Sequence, residues 1–210
     1  MEIEMKYSIN NKETSDLIWD DEYLLSIADE NTREMVYMKA AYFDTEDGLL
    51  AKNDIAFRVR KEGNRVVASL KWNGESSEGL HTREEINVPV TDDACFIEPD
   101  AAIFKESEEG RKMLKILGKH ELVNLLETRF SRRKMRIDTG ECICEVAIDI
   151  GEIVTDDATE PICEFEIELF SGSDESLIEI GEIMASKYDL LPENRSKYAR
   201  GLLMLKESIK

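Results

Sequence analysis

Residues 2–7 read Glu-Ile-Glu-Met-Lys-Tyr. Side chains in an extended strand alternate faces, so Glu2, Glu4 and Lys6 share one face and Ile3, Met5 and Tyr7 the other. The same alternation returns along the chain. Arg58 and Arg60 lie opposite Phe57 and Val59, and Lys71 lies with Ser69 opposite Leu70 and Trp72. Arg83, Glu85 and Asn87 oppose Glu84, Ile86 and Val88, while Glu145, Ala147 and Asp149 oppose Val146, Ile148 and Ile150. Glu164, Glu166 and Glu168 oppose Phe165, Ile167 and Leu169. Within 128–138 the pattern is less tidy: Arg132, Lys134 and Arg136 share one face, Arg129 and Arg133 the other.

Two arrangements satisfy such strands. For any one of them, a polar face in water is the ordinary state of an antiparallel sheet. Taken together, the faces are sorted by sign into glutamate rows and arginine/lysine rows, and stacked like charges such as Glu164–Glu166–Glu168 call for a cation. Carboxylate oxygens suit a hard divalent ion, Mg²⁺ or Mn²⁺. If the charged faces instead line a closed barrel, desolvation costs several kcal/mol per unpaired ion. The lumen must then be wet, ion-paired or filled by a highly charged ligand. A polyphosphate with its metal matches both rows, because arginine binds phosphoryl oxygens bidentately and lysine binds them as a point charge.

The wider pattern predicts an α+β, mainly β chain. Strands are expected near 2–9, 37–45, 55–63, 65–73, 83–90, 128–138, 142–153 and 162–170, with a hairpin turn at Glu62-Gly63-Asn64. Helices are expected around 13–29, in two pieces broken at Gly118 within 99–126, and over 173–188 and 193–208. Eight strands joined mostly as hairpins predict an antiparallel barrel or strongly curved sheet decorated by helices. No internal repeat or linker divides residues 1–210, so one domain is expected.

Forty-six acidic against 27 basic side chains give a net charge of −19, which argues against general nucleic-acid or anionic-membrane binding. The charged N-terminus lacks a signal-peptide pattern and no apolar run is long enough to span a bilayer, so a cytoplasmic location is expected. The cysteines Cys95, Cys142, Cys144 and Cys163 are then reduced, and the Cys142/Cys144 spacing lacks the partner pair of a zinc site. Neither His81 nor His120 sits in a nucleophile constellation, and His120 is expected at the surface. The P-loop pattern is absent, so phosphate recognition falls to side chains.

The segment EIEMK resembles the N-terminal ExExK signature of the CYTH superfamily, the triphosphate tunnel metalloenzymes. YFDTEDGLLAKNDIAFRVR (42–60) resembles the family segment ending in its RxR pair, SLKW (69–72) its lysine strand and HTREEINV (81–88) its RxE strand. Glu145, Ala147, Asp149 and Gly151 match an ExAxDxG element. EPICEFEIELFSG (160–172) is similar to the acidic strand of the family's bacterial inorganic triphosphatases, and NRSKYARGL (194–202) to their closing lysine segment.

The resemblance implies an eight-stranded antiparallel tunnel with its charges inward and a metal-dependent hydrolysis of tripolyphosphate to pyrophosphate and phosphate. It makes Glu2, Glu4, Glu164, Glu166 and Glu168 the metal-side carboxylates, with the register of the last three open. Lys6, Arg58, Arg60, Lys71, Arg83 and Arg132 become phosphate contacts with Lys134 and Lys197 as helpers, although Arg129 or Arg133 can take the role of Arg132. Glu145 and Asp149 assist the metal or position water beside Lys6, and Glu85 orients a neighbouring cation. Mg²⁺ or Mn²⁺ is the implied cofactor and a small-molecule triphosphate the implied partner. Thiamine triphosphate hydrolysis, nucleotide hydrolysis or a class IV-type adenylate cyclase on the same tunnel are alternatives, as is a non-catalytic polyphosphate-binding module. Related triphosphatases often add a helical, histidine-rich domain after the tunnel; this sequence ends at Lys210, and a role for such a domain is not expected.

Overall fold

A computed structural model describes residues 1–91, 93–96 and 98–208. In chain order the elements are β1 (Glu2–Ser8), α1 (Lys12–Trp19), α2 (Glu22–Ser26), β2 (Ala28–Asp44), α3 (Leu49–Lys52), β3 (Ile55–Glu62), β4 (Arg65–Ser77) and β5 (Leu80–Val90). Then follow α4 (Glu108–Leu117), β6 (Val123–Asp138), β7 (Cys142–Val154), β8 (Thr159–Gly172), α5 (Asp174–Tyr188), β9 (Leu191–Pro192) and α6 (Lys197–Ser208), with short 3₁₀ turns before α4.

Eight long strands close on themselves in the order β5-β4-β3-β2-β6-β7-β8-β1, and every pairing is antiparallel. Closure is made by β1, which pairs Glu4 to Glu168 of β8 on one side and Glu2 to Arg83 of β5 on the other. A closed ring leaves none of these strands with an open edge, and the two-residue β9 adds only a short pairing to β1. The expected eight-stranded barrel is therefore the fold.

The barrel is inside-out relative to a soluble sandwich. Apolar side chains point outward, where helices bury them. Met5, Tyr7, Val146, Ile148, Phe165 and Ile167 pack under Leu177, Ile180 and Met184 of α5. On the other flank Phe43, Phe57, Val59 and Leu70 pack with Phe104 and with Met113 and Leu117 of α4. A third cluster has the lumen parity instead: Ala40, Tyr42, Leu126, Ile153 and Ile162 meet Tyr198 and Met204 of α6. The rest of the inward face lines the lumen.

Local chemistry sets the joints. Gly63, at φ 57°, makes the β3–β4 turn in a conformation that favours glycine. Gly151 of β7 lies so close to β6 that an added Cβ would stand 2.1 Å from the Arg129 carbonyl oxygen. Ser107 and Ser173 accept the Gly110 and Ser176 amides at the starts of α4 and α5.

Three expectations are corrected. The predicted helix at 13–29 is two helices, because the Asp21 carboxylate accepts the Tyr23 and Leu24 amides and restarts the turn. The strand predicted from residue 37 begins at Ala28: its polar first half is held by pairing with β6, as in Glu34 opposite Lys134, rather than by apolar alternation. The second helix predicted beyond Gly118 is absent. Gly118 ends α4 at φ 56°, and β6 starts at Val123 opposite Asp44. Among the described residues, no helix is long and apolar enough to cross a membrane.

Candidate active site

The lumen holds a cavity of about 230 Å³ to which all eight long strands contribute. Strand parity sets its charge. Arg58 and Arg60 of β3, Lys71 of β4, Arg83 of β5, and Arg132 and Lys134 of β6 form a basic arc. Glu2 and Glu4 of β1, Glu145 of β7, and Glu166 and Glu168 of β8 face it, with Lys6 and Lys197 set among them. These are most of the residues expected from the sequence. Asp149 and Glu164 share the same strand faces but lie behind the cavity wall, 0% and 1% exposed.

The basic arc is only partly neutralised. Lys71 is held by Glu2 at 2.7 Å and by Glu85, so Glu85 does orient a neighbouring cation. Lys134 pairs with Glu145 at 3.1 Å and Arg60 with Glu62. Arg58 donates to Ser69 Oγ at 3.1 Å and, among the described residues, has no carboxylate at ion-pair distance. The buried Nε groups of Arg58 and Arg60 have no hydrogen-bond acceptor. Buried N–H donors of this kind are costly to leave unmade, and they suit an anion entering the lumen.

The acidic side divides into two sets. Asp149, Glu164 and Glu166 bring carboxylate oxygens within 4.8 Å of one another. That set is already compensated: Lys197 Nζ lies 2.8 Å from Asp149, 2.6 Å from Glu164 and 2.8 Å from Glu166. Arg132 grips both Asp149 oxygens at 2.7 Å, and Arg200 pairs with Glu164. Burial opposes the charge on Glu166, but Lys197, Lys6 and Arg132 outweigh it and hold the carboxyl well below its usual range.

The other set is Glu2, Glu4 and Glu168. Glu4 and Glu168 are cross-strand partners, and Glu2 follows on the same face of β1. Burial raises Glu4, but Lys6, 3.0 Å away, and Lys71 bring it below the ordinary value. Glu168 has no cation at ion-pair distance among the described residues; burial, then the charges of Glu2 and Glu4, push its carboxyl up to about 7. An all-oxygen donor set with an uncompensated carboxylate fits a hard divalent cation. These oxygens are not gathered within 4.8 Å as the inner set is, which is how like charges sit without a shared counter-ion.

The open choice on β6 is resolved. Arg132 faces the lumen, Arg129 is exposed beside Glu127, and Arg133 reaches outward to Asp16 at 2.7 Å. The lumen also includes residues not singled out from the sequence. His81 sits beside Glu4 and donates from Nε2 to the Glu193 carbonyl, 2.7 Å away; burial and then Lys6 lower its pKa. Tyr42 and Tyr198 stack at 5.1 Å. The parity of Arg83 carries His81 and that of Arg60 carries Glu62, while Arg200 lies one helical turn beyond Lys197. Cys142 and Cys144 are buried with their sulfurs 3.5 Å apart, burial raises Cys144, and His120 is exposed.

A second cavity of about 150 Å³ adjoins the first. It shares Ala56, Lys71, Arg83, Ser196 and Tyr198 with the lumen and is otherwise walled by residues including Trp72, Ile55, Leu202 and Asp54.

Residues 1–202 match the profile of the CYTH domain. A curated Haemophilus influenzae protein named inorganic triphosphatase is 30% identical over 169 residues, covering 80% of this chain and 46% of its own length. The chain thus spans about half of that relative. In fold it is similar to a Hippeastrum protein described as a putative adenylyl cyclase with a dominant triphosphatase activity, at a TM-score of 0.71 and 23% identity over 95% of this chain and 94% of that one. It is also similar to a putative adenylate cyclase of Bacillus halodurans, at 0.56 and 20% over 93% and 94%.

Proposed function

The chain belongs to the CYTH domain family, and on that premise we propose that it hydrolyses tripolyphosphate to pyrophosphate and phosphate inside the barrel, with Mg²⁺ or Mn²⁺. The observation that carries this reading is one cavity inside the barrel in which the unpartnered Nε donors of Arg58 and Arg60 face Glu168, a buried carboxylate with no cation at ion-pair distance among the described residues. A compact polyanion with its cation neutralises both sides at once. The name of the Haemophilus influenzae relative and the activity described for the Hippeastrum protein point the same way.

In this reading Arg58, Arg60 and Arg83 bind phosphoryl oxygens, and Lys71 and Lys6 add point charges. Glu2, Glu4 and Glu168 hold the divalent ion, which supplies charge neutralisation on the phosphoryl group. Glu145, tethered by Lys134 at the cavity surface, orients the attacking water. Water adds to a terminal phosphorus, the bridging P–O bond breaks, and pyrophosphate leaves. Asp149, fully buried and gripped by Arg132, serves to fix that guanidinium rather than to contact water.

A second reading, an organic triphosphate as substrate, is favoured by the adjoining cavity beside Trp72, which offers room and an aromatic wall next to Lys71 and Arg83. One assay separates the readings. Protein is incubated with tripolyphosphate, ATP or thiamine triphosphate, with Mg²⁺ or Mn²⁺, and phosphate, pyrophosphate and cyclic AMP are measured. Preferred metal-dependent release of phosphate and pyrophosphate from tripolyphosphate is expected. Cyclic AMP from ATP would sink the hydrolase reading, and binding without turnover of any substrate would make the chain a polyphosphate-binding module. Glu4→Gln is expected to lower turnover by ~10²-fold or more while leaving the circular dichroism spectrum unchanged.

A further inference from the structure

The inner carboxylates Asp149, Glu164 and Glu166 have the spacing of a cation site, and a cation already stands among them. The Lys197 ammonium is within 2.8 Å of an oxygen of each. The ammonium donates to Glu164 and Glu166 and stands at ion-pair distance from Asp149. The remaining oxygens are taken from outside: Arg132 spans Asp149 and also reaches Glu166, Lys6 reaches Glu166 at 3.2 Å, and Arg200 pairs with Glu164 while donating to Glu160 at 2.7 Å. Three negative charges thus meet Lys197, Arg132 and Arg200, the last shared with Glu160, with Lys6 shared with Glu4. The three carboxylates, Lys197, Arg132, Arg200 and Lys6 are each at most 10% exposed. Adding a divalent ion there would leave uncompensated positive charge in a desolvated site, which burial strongly opposes.

We infer that the Lys197 ammonium is a built-in counter-ion that fills the cation position of the inner triad, so that a divalent ion is confined to the side of the lumen lined by Glu2, Glu4 and Glu168. The same contacts fasten the start of α6 to β7 and β8, with the Tyr198–Tyr42 stack beside them. Lys197 is therefore a positioning residue for Asp149, Glu166 and, through them, Arg132. Its contact with phosphate, expected from the sequence, would compete with these carboxylates for the ammonium. The inference draws on the proposed function only in taking the lumen to bind a divalent ion.

The test counts Mn²⁺ ions bound per chain, by electron paramagnetic resonance and calorimetry, on the full chain without any phosphate. Lys197→Met is expected to bind one ion more than wild type, because the vacated triad then takes a metal. Lys197→Arg, which keeps the charge, is expected to bind the wild-type number. A folded Lys197→Met chain that gains no ion overturns the inference. If Lys197→Met folds only when Mn²⁺ is added, the ion is replacing the ammonium, which supports it. If that variant folds under neither condition, Glu164→Gln decides: an unchanged ion count supports the inference and the loss of an ion overturns it. The gain is scored against the wild-type count. A wild-type chain that binds no ion therefore counts against the metal set at Glu2, Glu4 and Glu168, while an added ion in Lys197→Met still upholds the role of Lys197.

Discussion

Glu168 is a lumen carboxylate that meets no cation at ion-pair distance among the described residues. Burial and the facing carboxylates of Glu2 and Glu4 raise its pKa to about 7, with Lys71 and Arg132 only partly offsetting them. The folded-state value lies above the ordinary 4.5, so between those values the unfolded chain ionises first. The contribution of Glu168 to stability is thus full below pH ~4.5 and is lost as pH rises through 7. Urea denaturation in EDTA is expected to show this loss in wild type and not in Glu168→Gln; equal pH slopes for the two would remove Glu168 as its source. Glu85 works in the opposite sense. Despite burial, Lys71 and Arg58 lower it to about 2, so its contribution is present above 4.5 and lost on acidification toward 2. The parity of Glu2, Glu4, Arg58 and Arg60 made their shared faces legible in the sequence. Which carboxylates lack a counter-ion was not legible, because Lys197 and Arg200 arrive from a helix distant in sequence and single out Asp149 and Glu164 from otherwise equivalent rows.

The strands transmit this order because neighbouring registers are held by backbone contact. Gly151 is the tightest such point: its Cα faces Phe130, and a Cβ would meet the Arg129 carbonyl and the Phe130 Cα at 2.1 and 2.5 Å. Gly151→Ala must therefore push β7 from β6 near the Arg132–Asp149 pairing, two residues along. A loss of about 1–3 kcal/mol in urea denaturation is expected, together with weaker tripolyphosphate binding; wild-type stability in this variant would mean that the strands can separate there without cost. Strand boundaries were legible where apolar and charged residues alternate, as in β3 and β8. They were hidden where a polar stretch is held by its partner: β2 from Ala28 and β6 from Val123 owe their length to each other, a relation no local window contains.

For the whole molecule, the lumen's mixture of opposed charges makes ligand and fold thermodynamically linked. A tripolyphosphate–metal complex binds only the assembled barrel in this reading, so at a free concentration of 100 times its dissociation constant it should stabilise the chain by about 2.7 kcal/mol. Thermal denaturation with and without tripolyphosphate and Mn²⁺ measures this shift; no rise at saturating ligand would place the binding surface outside the barrel. The closure also has a meaning in time. During synthesis β1 emerges well before its hydrogen-bonding partners β5 and β8, and β8 ends at Gly172. β1 must therefore wait for β8, and such long-range pairing is slow to form. Until it does, Glu4 and Glu168 are on strands not yet joined. The lumen is therefore completed only after β8 and the start of α6 have been made, and no shorter nascent intermediate carries the whole site.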